Sequence, residues 1–145
     1  MSENDLEERV LAANNQFYQA LSYGDLQSMI ELWLHSDQAQ CIHPGWNRLQ
    51  GWLNIEKSWR MIFENSNRVP VIPGNPQVSF CEQMAWVNCI ENIAAPETSP
   101  HAIKTICTNV FQRNGDTGDW KMVVHHSSFS EVIPGPIEGN FAPLH

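Results

Sequence analysis

The chain has 145 residues, a length typical of one domain. Hydrophobic residues make up 42% of it and charged residues 17%, which is the composition of a globular protein and not of a disordered or membrane-spanning one. The formal net charge of -8 argues against nucleic acid or an anionic membrane as the main partner. The acidic N-terminus does not resemble a signal peptide, so we expect a cytoplasmic protein.

Three helices are predicted in the first half of the chain. Apolar residues recur at steps of three and four over Leu6–Leu21, which predicts the first helix. Gly24 breaks that pattern, and Asp25 is the expected N-cap of a second helix over Leu26–Trp33. A third amphipathic pattern covers Ile55–Phe63.

The second half of the chain predicts strands joined by turns. Prolines and a glycine in residues 68–76 exclude a helix there. Strand-like runs are found at Ala39–His43, Gln77–Glu82, Met84–Ala94, Ala102–Gln112 and Trp120–Ser130. We expect a single domain over residues 1–131, followed by an irregular tail over residues 132–145.

Helices followed by consecutive antiparallel strands predict an α+β fold, in which a strongly curved antiparallel sheet wraps around the three N-terminal helices. Both faces of this sheet are partly apolar. One face can pack on the helices, and the other then needs cover, which a second copy of the chain would supply. The tryptophans at core-like positions are expected to pack inside: Trp33, Trp59, Trp86 and Trp120.

Three segments resemble the SnoaL-like branch of the nuclear-transport-factor-2-like (NTF2-like) superfamily. They are CIHPGWNRLQGWLNIEKSW at Cys41–Trp59, AWVNCIENI at Ala85–Ile93 and WKMVVHHSS at Trp120–Ser128. The resemblance implies a cystatin-like cone with a pocket at its open end and dimers formed through the outer sheet face. Members of the superfamily include isomerases, dehydratases and polyketide cyclases, as well as the association domain of calcium/calmodulin-dependent kinase.

His43 is the first candidate catalytic residue. It ends the early strand, and Pro44 holds it in an extended conformation. Its imidazole either moves a proton in the pocket or serves as a structural group bonded to the loop backbone. The resemblance implies that this segment lies at the rim of the cavity.

His125 and His126 are adjacent, so on a strand they face opposite sides of the sheet. We expect His126 to point inward, because the residues in phase with it include the large side chains of Trp120 and Met122. A single β-bulge would exchange the two faces.

Glu91 lies in an otherwise apolar strand and is the third candidate catalytic residue. A carboxylate there is either a general base or the partner of Lys104 in an ion pair across a hairpin. The aspartate base that the resemblance implies for isomerases and cyclases has no counterpart at an inward strand position. Candidate ligand-binding residues are Trp46, Asn109, Trp120 and Ser128.

Neither a metal site nor a cofactor is predicted, because the four cysteines have no zinc-binding spacing. The sequence and the resemblance together leave two functions open. One is a small-molecule-binding protein with a histidine-lined pocket, suited to proton transfer on a small apolar or polycyclic ligand. The other is a non-catalytic association module. Both are expected to be homodimers.

Overall fold

The structure is a computed structural model, and it describes residues 2–65, 70–94 and 103–130. None of the helices within these ranges is long and apolar enough to cross a membrane. The predicted tail over residues 132–145 lies outside the described residues, as does the link between the fourth and fifth strands. The elements are α1 (Glu3–Tyr23), α2 (Leu26–Leu32), β1 (Gln40–Ile42), β2 (Leu49–Gln50), α3 (Trp52–Asn65), β3 (Val71–Cys81), β4 (Met84–Ile93), β5 (Ile103–Arg113) and β6 (Trp120–Phe129).

The helix boundaries follow from local capping. Ser2 and Asp5 form a capping box at the start of α1, where the Asp5 N–H donates to the Ser2 hydroxyl over 3.2 Å. Gly24 ends α1 at a φ of 64°, which glycine adopts without strain. Asp25 caps α2 as predicted and accepts a hydrogen bond from the N–H of Ser28 over 3.1 Å.

The six strands form one sheet in the order β2-β1-β6-β5-β4-β3. Neighbouring strands are antiparallel except β1 and β6, which pair in parallel. β3 begins at Val71, earlier than predicted, and includes Pro73 and Pro76. An edge strand tolerates these prolines because one side of it has no neighbour to receive hydrogen bonds. The predicted α+β fold, with a curved sheet around N-terminal helices, is confirmed.

The core lies between the helices and the inner face of the sheet. Phe17 from α1, Trp59 from α3 and Phe111 from β5 are almost fully buried there. Trp86 does not join them, contrary to the prediction, and is 39% exposed. In β4 it alternates with the buried Ala85 and Val87, so it lies on the outer face.

A β-bulge in β6 determines which residues face inward. Val110 pairs with Val124, but the next residue of β5, Phe111, pairs with Met122, so Val123 is an extra residue. Before the bulge Met122 is buried, and after it His125 is buried while His126 is exposed. The prediction that His126 points inward is therefore wrong, because the bulge shifts the alternation by one residue.

Candidate functional site

Register places the inner-face residues of β4, β5 and β6 in rows across the sheet. The row nearest the end of β6 is mostly polar, and the next two rows add thiols, an amide and an imidazole. These rows are Glu91–Thr105–Phe129, Cys89–Cys107–Ser127 and Val87–Asn109–His125. Asn14 and Tyr18 of α1 contribute polar groups from the other side. Seven polar side chains at this place are each at most 3% exposed, and we call them the inner cluster. They are Asn14, Tyr18, Glu91, Thr105, Asn109, His125 and Ser127.

The carboxylate of Glu91 is the centre of the inner cluster. The hydroxyl of Tyr18 donates to it over 2.8 Å and that of Thr105 over 2.6 Å, and Ser127 donates a third hydrogen bond. Among the residues that the structure describes, no basic side chain lies within salt-bridge distance of Glu91. Burial alone would raise the pKa of Glu91, but His125 and the three hydroxyl donors together lower it below its usual value.

The ion pair between Glu91 and Lys104, one of the two alternatives from the sequence, is not formed. Lys104 pairs with Asn92, and Thr105 lies opposite Glu91. The one-residue difference in register places Lys104 on the other face of the sheet. Glu91 is therefore a buried anion held by hydroxyl groups.

Asn109 connects His125 to Tyr18. Its amide nitrogen donates to Asn14 Oδ1 over 2.9 Å and to the Tyr18 hydroxyl over 3.1 Å. With the amide oriented in this way, its oxygen accepts a hydrogen bond from His125 Nδ1 over 2.7 Å. This assigns the Nδ1–H tautomer to His125 and leaves Nε2 as the acceptor nitrogen.

Two imidazoles are buried at this end of the interior: His125, a member of the inner cluster, and His43. Burial lowers the pKa of His125 to about 4, although Glu91 acts in the opposite direction. Burial, together with the nearby His125, lowers the pKa of His43 to about 3. The two ring centres are 6.3 Å apart. Both rings are neutral at neutral pH, so each can donate one hydrogen bond and accept another.

Aromatic side chains cover His43 on the outside. The ring of Trp46 lies 4.8 Å from the His43 ring, and Trp46 is 39% exposed. Phe129, also exposed, lies 3.3 Å from the position that a Cβ on Gly45 would take. On the inside, His43 Nε2 is 2.9 Å from the hydroxyl of Ser58. Residues 43–48 therefore form the cover of this end of the interior, and we call them the cover loop.

The structure brings together some of the residues selected from the sequence. Glu91 and Asn109 belong to the inner cluster, and His43 and Trp46 lie between it and solvent. His126 and Ser128 do not, because both are exposed on the outer face after the bulge.

Trp120 is buried, but at the far end of β6, where it packs against Phe80 at 6.2 Å between ring centres. It therefore lies apart from the inner cluster.

Sequence reasoning missed five members of the inner cluster: Asn14, Tyr18, Thr105, His125 and Ser127. Asn14 and Tyr18 are four residues apart and lie on the buried face of α1 with Phe17. Polar residues in the apolar stripe of a helix are a signal that could have identified them. The other three depend on strand register, which no local pattern fixes.

One group of side chains has the composition of a metal site. Glu91, Cys107 and His125 each present one ligand atom, and these atoms lie within 4.8 Å of one another. Cys107 Sγ and His125 Nδ1 both donate to Asn109 Oδ1, over 3.1 Å and 2.7 Å. A metal would have to displace Asn109 to use these atoms, so the observed arrangement fits a hydrogen-bond network better than a metal centre.

The chain matches one protein family and is similar to solved structures of related proteins. The SnoaL-like domain family matches residues 10–131. A proposed dehydratase of the NTF2-like family from Streptomyces avermitilis is 29% identical, with a TM-score of 0.81 over 90% of this chain and 100% of that one. A proposed calcium/calmodulin-dependent protein kinase type II association domain from Thiobacillus denitrificans is 25% identical, with a TM-score of 0.75 over 83% of this chain and 94% of that one.

A plant protein is also similar. F-box protein SKIP8 of Arabidopsis thaliana is 29% identical over 119 residues, which are 82% of this chain. The match spans 48% of the plant protein, so the chain corresponds to about half the length of this relative.

Proposed function

Since the chain belongs to the SnoaL-like family, we propose that its inner cluster binds a small molecule and that Glu91 accepts a proton from it. The observation that carries this proposal is a carboxylate that is 3% exposed and bonded to three hydroxyl groups. A buried anion without a cation costs folding stability, and such groups are concentrated at functional sites.

The neighbours of Glu91 supply the other groups that proton transfer needs. The Tyr18 hydroxyl donates a hydrogen bond to Glu91. In the same place it could donate to a carbonyl oxygen of the ligand, on which negative charge develops during proton transfer. His125 is neutral and can donate or accept a proton. These groups suit a small ligand with a ketone or hydroxyl group on an apolar body.

Access to the cluster requires movement of the cover loop. His43 is only 4% exposed, and Trp46 lies against it. A displaced Trp46 would open a path past His43 toward His125, with Phe129 as an apolar wall. Aromatic walls of this kind suit an apolar or polycyclic ligand.

The Streptomyces avermitilis protein supports this chemistry at the level of reaction class. It is described as a proposed dehydratase. Dehydration breaks a C–H and a C–O bond: a base takes the proton from carbon, and the same group can return it to the hydroxyl, which leaves as water while a hydrogen-bond donor holds its oxygen. Glu91 and Tyr18 are the corresponding groups here.

A titration with a panel of small ketones and phenols tests the proposal. NMR signals of the His125 ring report binding, and Glu91→Gln should weaken it at least about tenfold, or 1.4 kcal/mol. Glu82→Gln is the matched control, because Glu82 is exposed at the turn between β3 and β4. Ligands that leave the His125 signals unchanged, or that bind both variants equally, would contradict the proposal.

Self-association is a second candidate function, and the outer sheet face favours it. Trp86, Val110 and Val124 form one apolar row across three strands, and Ile90 and Ile106 form another. Trp86 is 39% exposed and Ile106 is 42% exposed. Such a face is typical of an interface, and the similar Thiobacillus denitrificans protein is described as a proposed association domain. A homodimer through this face is compatible with ligand binding inside the cone.

A further inference from the structure

A cavity lies outside the cone, between α1, α2 and the turn that joins β5 to β6. Its volume is about 670 Å³, and its lining includes Arg9, Gln16, Gln19, Gly118 and Trp120. Pockets for small molecules usually have about 300–1,000 Å³. This cavity shares no residue with the inner cluster, and the proposed function does not use it.

Two guanidinium groups converge at one edge of this cavity. Arg9 Nη1 lies 3.8 Å and Arg113 Nη2 lies 3.7 Å from the position that a Cβ on Gly118 would take. Gly118 has a φ of 78°, and its lack of a side chain leaves room for both groups. Both guanidinium groups therefore approach the same residue, where their positive charges can act together on a bound anion.

Neither Arg9 nor Arg113 forms an ion pair with a residue in the described part of the chain. The ion pair found there joins Arg60 to Glu56. Asp119 lines the cavity but is not within salt-bridge distance of Arg9 or Arg113. The other cation of the lining is already used, since Lys121 Nζ donates to the carbonyl oxygen of Glu31 over 2.7 Å.

Two buried hydrogen-bond donors of Arg113 and Trp120 also have no acceptor among the described residues. They are Arg113 Nε and Trp120 Nε1. Arg113 and Trp120 pair directly across β5 and β6, so their side chains leave the sheet on the same face. Trp120 is 94% buried and yet lines the cavity. A buried donor without an acceptor destabilises a fold, so an acceptor that binds here would relieve that cost.

The turn itself does not supply the missing acceptors. The N–H of Gly118 donates to the carbonyl oxygen of Asn114 over 2.8 Å, and the side chain of Asn114 accepts from Asp116 and Thr117. These bonds hold the turn in shape while the arginine and tryptophan donors stay unpaired.

We propose that a small oxyanion, the phosphate or carboxylate group of a small molecule, binds at the Gly118 edge of this cavity, between Arg9, which lines the cavity, and Arg113, which approaches the same glycine. The planar guanidinium groups match the oxygens of either anion, and the indole N–H of Trp120 adds a neutral donor. Gln16 and Gln19 then face the polar body of the ligand.

A ¹H–¹⁵N NMR titration of the full chain with inorganic phosphate, and separately with acetate, tests the proposal. Sodium chloride keeps the ionic strength constant, and Trp120→Phe assigns the indole N–H signal of Trp120. We expect a saturable shift of that signal, and the anion that saturates at the lower concentration identifies the preferred group. Arg9→Gln and Arg113→Gln should each weaken binding at least tenfold.

Arg60→Gln is the matched control, because Arg60 lies on α3 and pairs with Glu56. It should bind phosphate like the unchanged chain, as should Glu91→Gln, which separates this site from the inner cluster. If Arg113→Gln does not fold, Arg9→Gln still tests the site, since Arg9 is exposed on α1. A shift that does not saturate with either anion, or equal binding by Arg9→Gln and Arg60→Gln, would overturn the proposal.

Discussion

The hydroxyl of Tyr18 in α1 donates a hydrogen bond to Glu91 Oε2 in β4 over 2.8 Å, and so joins the first helix to the inner face of the sheet. The Tyr18 hydroxyl oxygen itself accepts a hydrogen bond from the side-chain amide of Asn109 over 3.1 Å. Burial and the neighbouring thiols and carboxylate raise the pKa of Tyr18, so its hydroxyl remains a donor at any physiological pH. Together with the Asn14–Asn109 hydrogen bond, this contact holds the helix to the sheet through buried polar groups.

Tyr18→Phe should remove this contact and leave a buried carboxylate with one donor fewer. We expect the free energy of unfolding to fall by about 1.5–3 kcal/mol, the range for hydrogen bonds to charged groups. Urea denaturation measures it. Tyr23→Phe is the matched control on the same helix, because Tyr23 is 80% exposed. Equal stability of the two variants would show that the Tyr18 hydroxyl contributes nothing.

Adjacent serines test which side of β6 faces inward. Ser127 donates to Glu91, whereas Ser128 is exposed on the outer face. Ser127→Ala should lower the free energy of unfolding by about 1–3 kcal/mol, and Ser128→Ala should change it by less than about 0.5 kcal/mol. The reverse order in thermal or urea unfolding would place the bulge elsewhere.

The sequence predicted the elements and the fold because these depend on local patterns. The apolar repeat of α1 and the Asp25 cap are examples, since each can be recognised within one or two turns of a helix. The order of helices before strands was compatible with a curved sheet, and the resemblance to SnoaL-like proteins added the cone shape with a pocket at its open end.

The site was predicted only in part, because it depends on long-range register. Glu91 was selected as a charged residue in an otherwise apolar strand, and His43 was selected because it ends the early strand in a segment that the resemblance implies at the cavity rim. His126 was preferred to His125, and Ser127 was not selected, because one extra residue, Val123, reverses the alternation of β6. Likewise, Thr105 and not Lys104 faces Glu91 because the hairpin register differs by one residue from the expected one.

The two buried histidines predict a loss of stability in mild acid. An unfolded histidine titrates near pH 6.5, whereas the folded pKa is about 4 for His125 and about 3 for His43. From pH 6.5 down to about 4, the unfolded chain therefore binds protons that the folded chain does not. Each histidine should then reduce the free energy of unfolding by about 1.4 kcal/mol per pH unit as the pH falls.

Urea denaturation across this pH range measures the effect. His125→Asn keeps a donor near Asn109 but cannot be protonated. The slope of the free energy of unfolding against pH should therefore fall by the contribution of about one proton. The lowered pKa of Glu91 adds a loss of the same sign only below its ordinary value of 4.5. A slope that His125→Asn leaves unchanged would mean that His125 is already protonated in the folded protein.

Substitutions on the outer sheet face test self-association. Trp86→Lys places a charge within the apolar row that Trp86 forms with Val110, and it should convert a dimer to a monomer. Leu53→Lys is the control, because Leu53 is 72% exposed on α3, away from the sheet. Light scattering coupled to size exclusion gives the mass of each. A monomeric unchanged chain, or a dimer that survives Trp86→Lys, would exclude this interface.

A crystal structure of the protein soaked with the ketone or phenol that binds most tightly in the titration tests the central proposal most directly. We predict density for the ligand inside the cone, with its oxygen within hydrogen-bond distance of Glu91 or Tyr18 and with Trp46 displaced from His43. A ligand found only outside the cone, with the three hydroxyl bonds to Glu91 intact, would show that the inner cluster is structural and would contradict the proposed function.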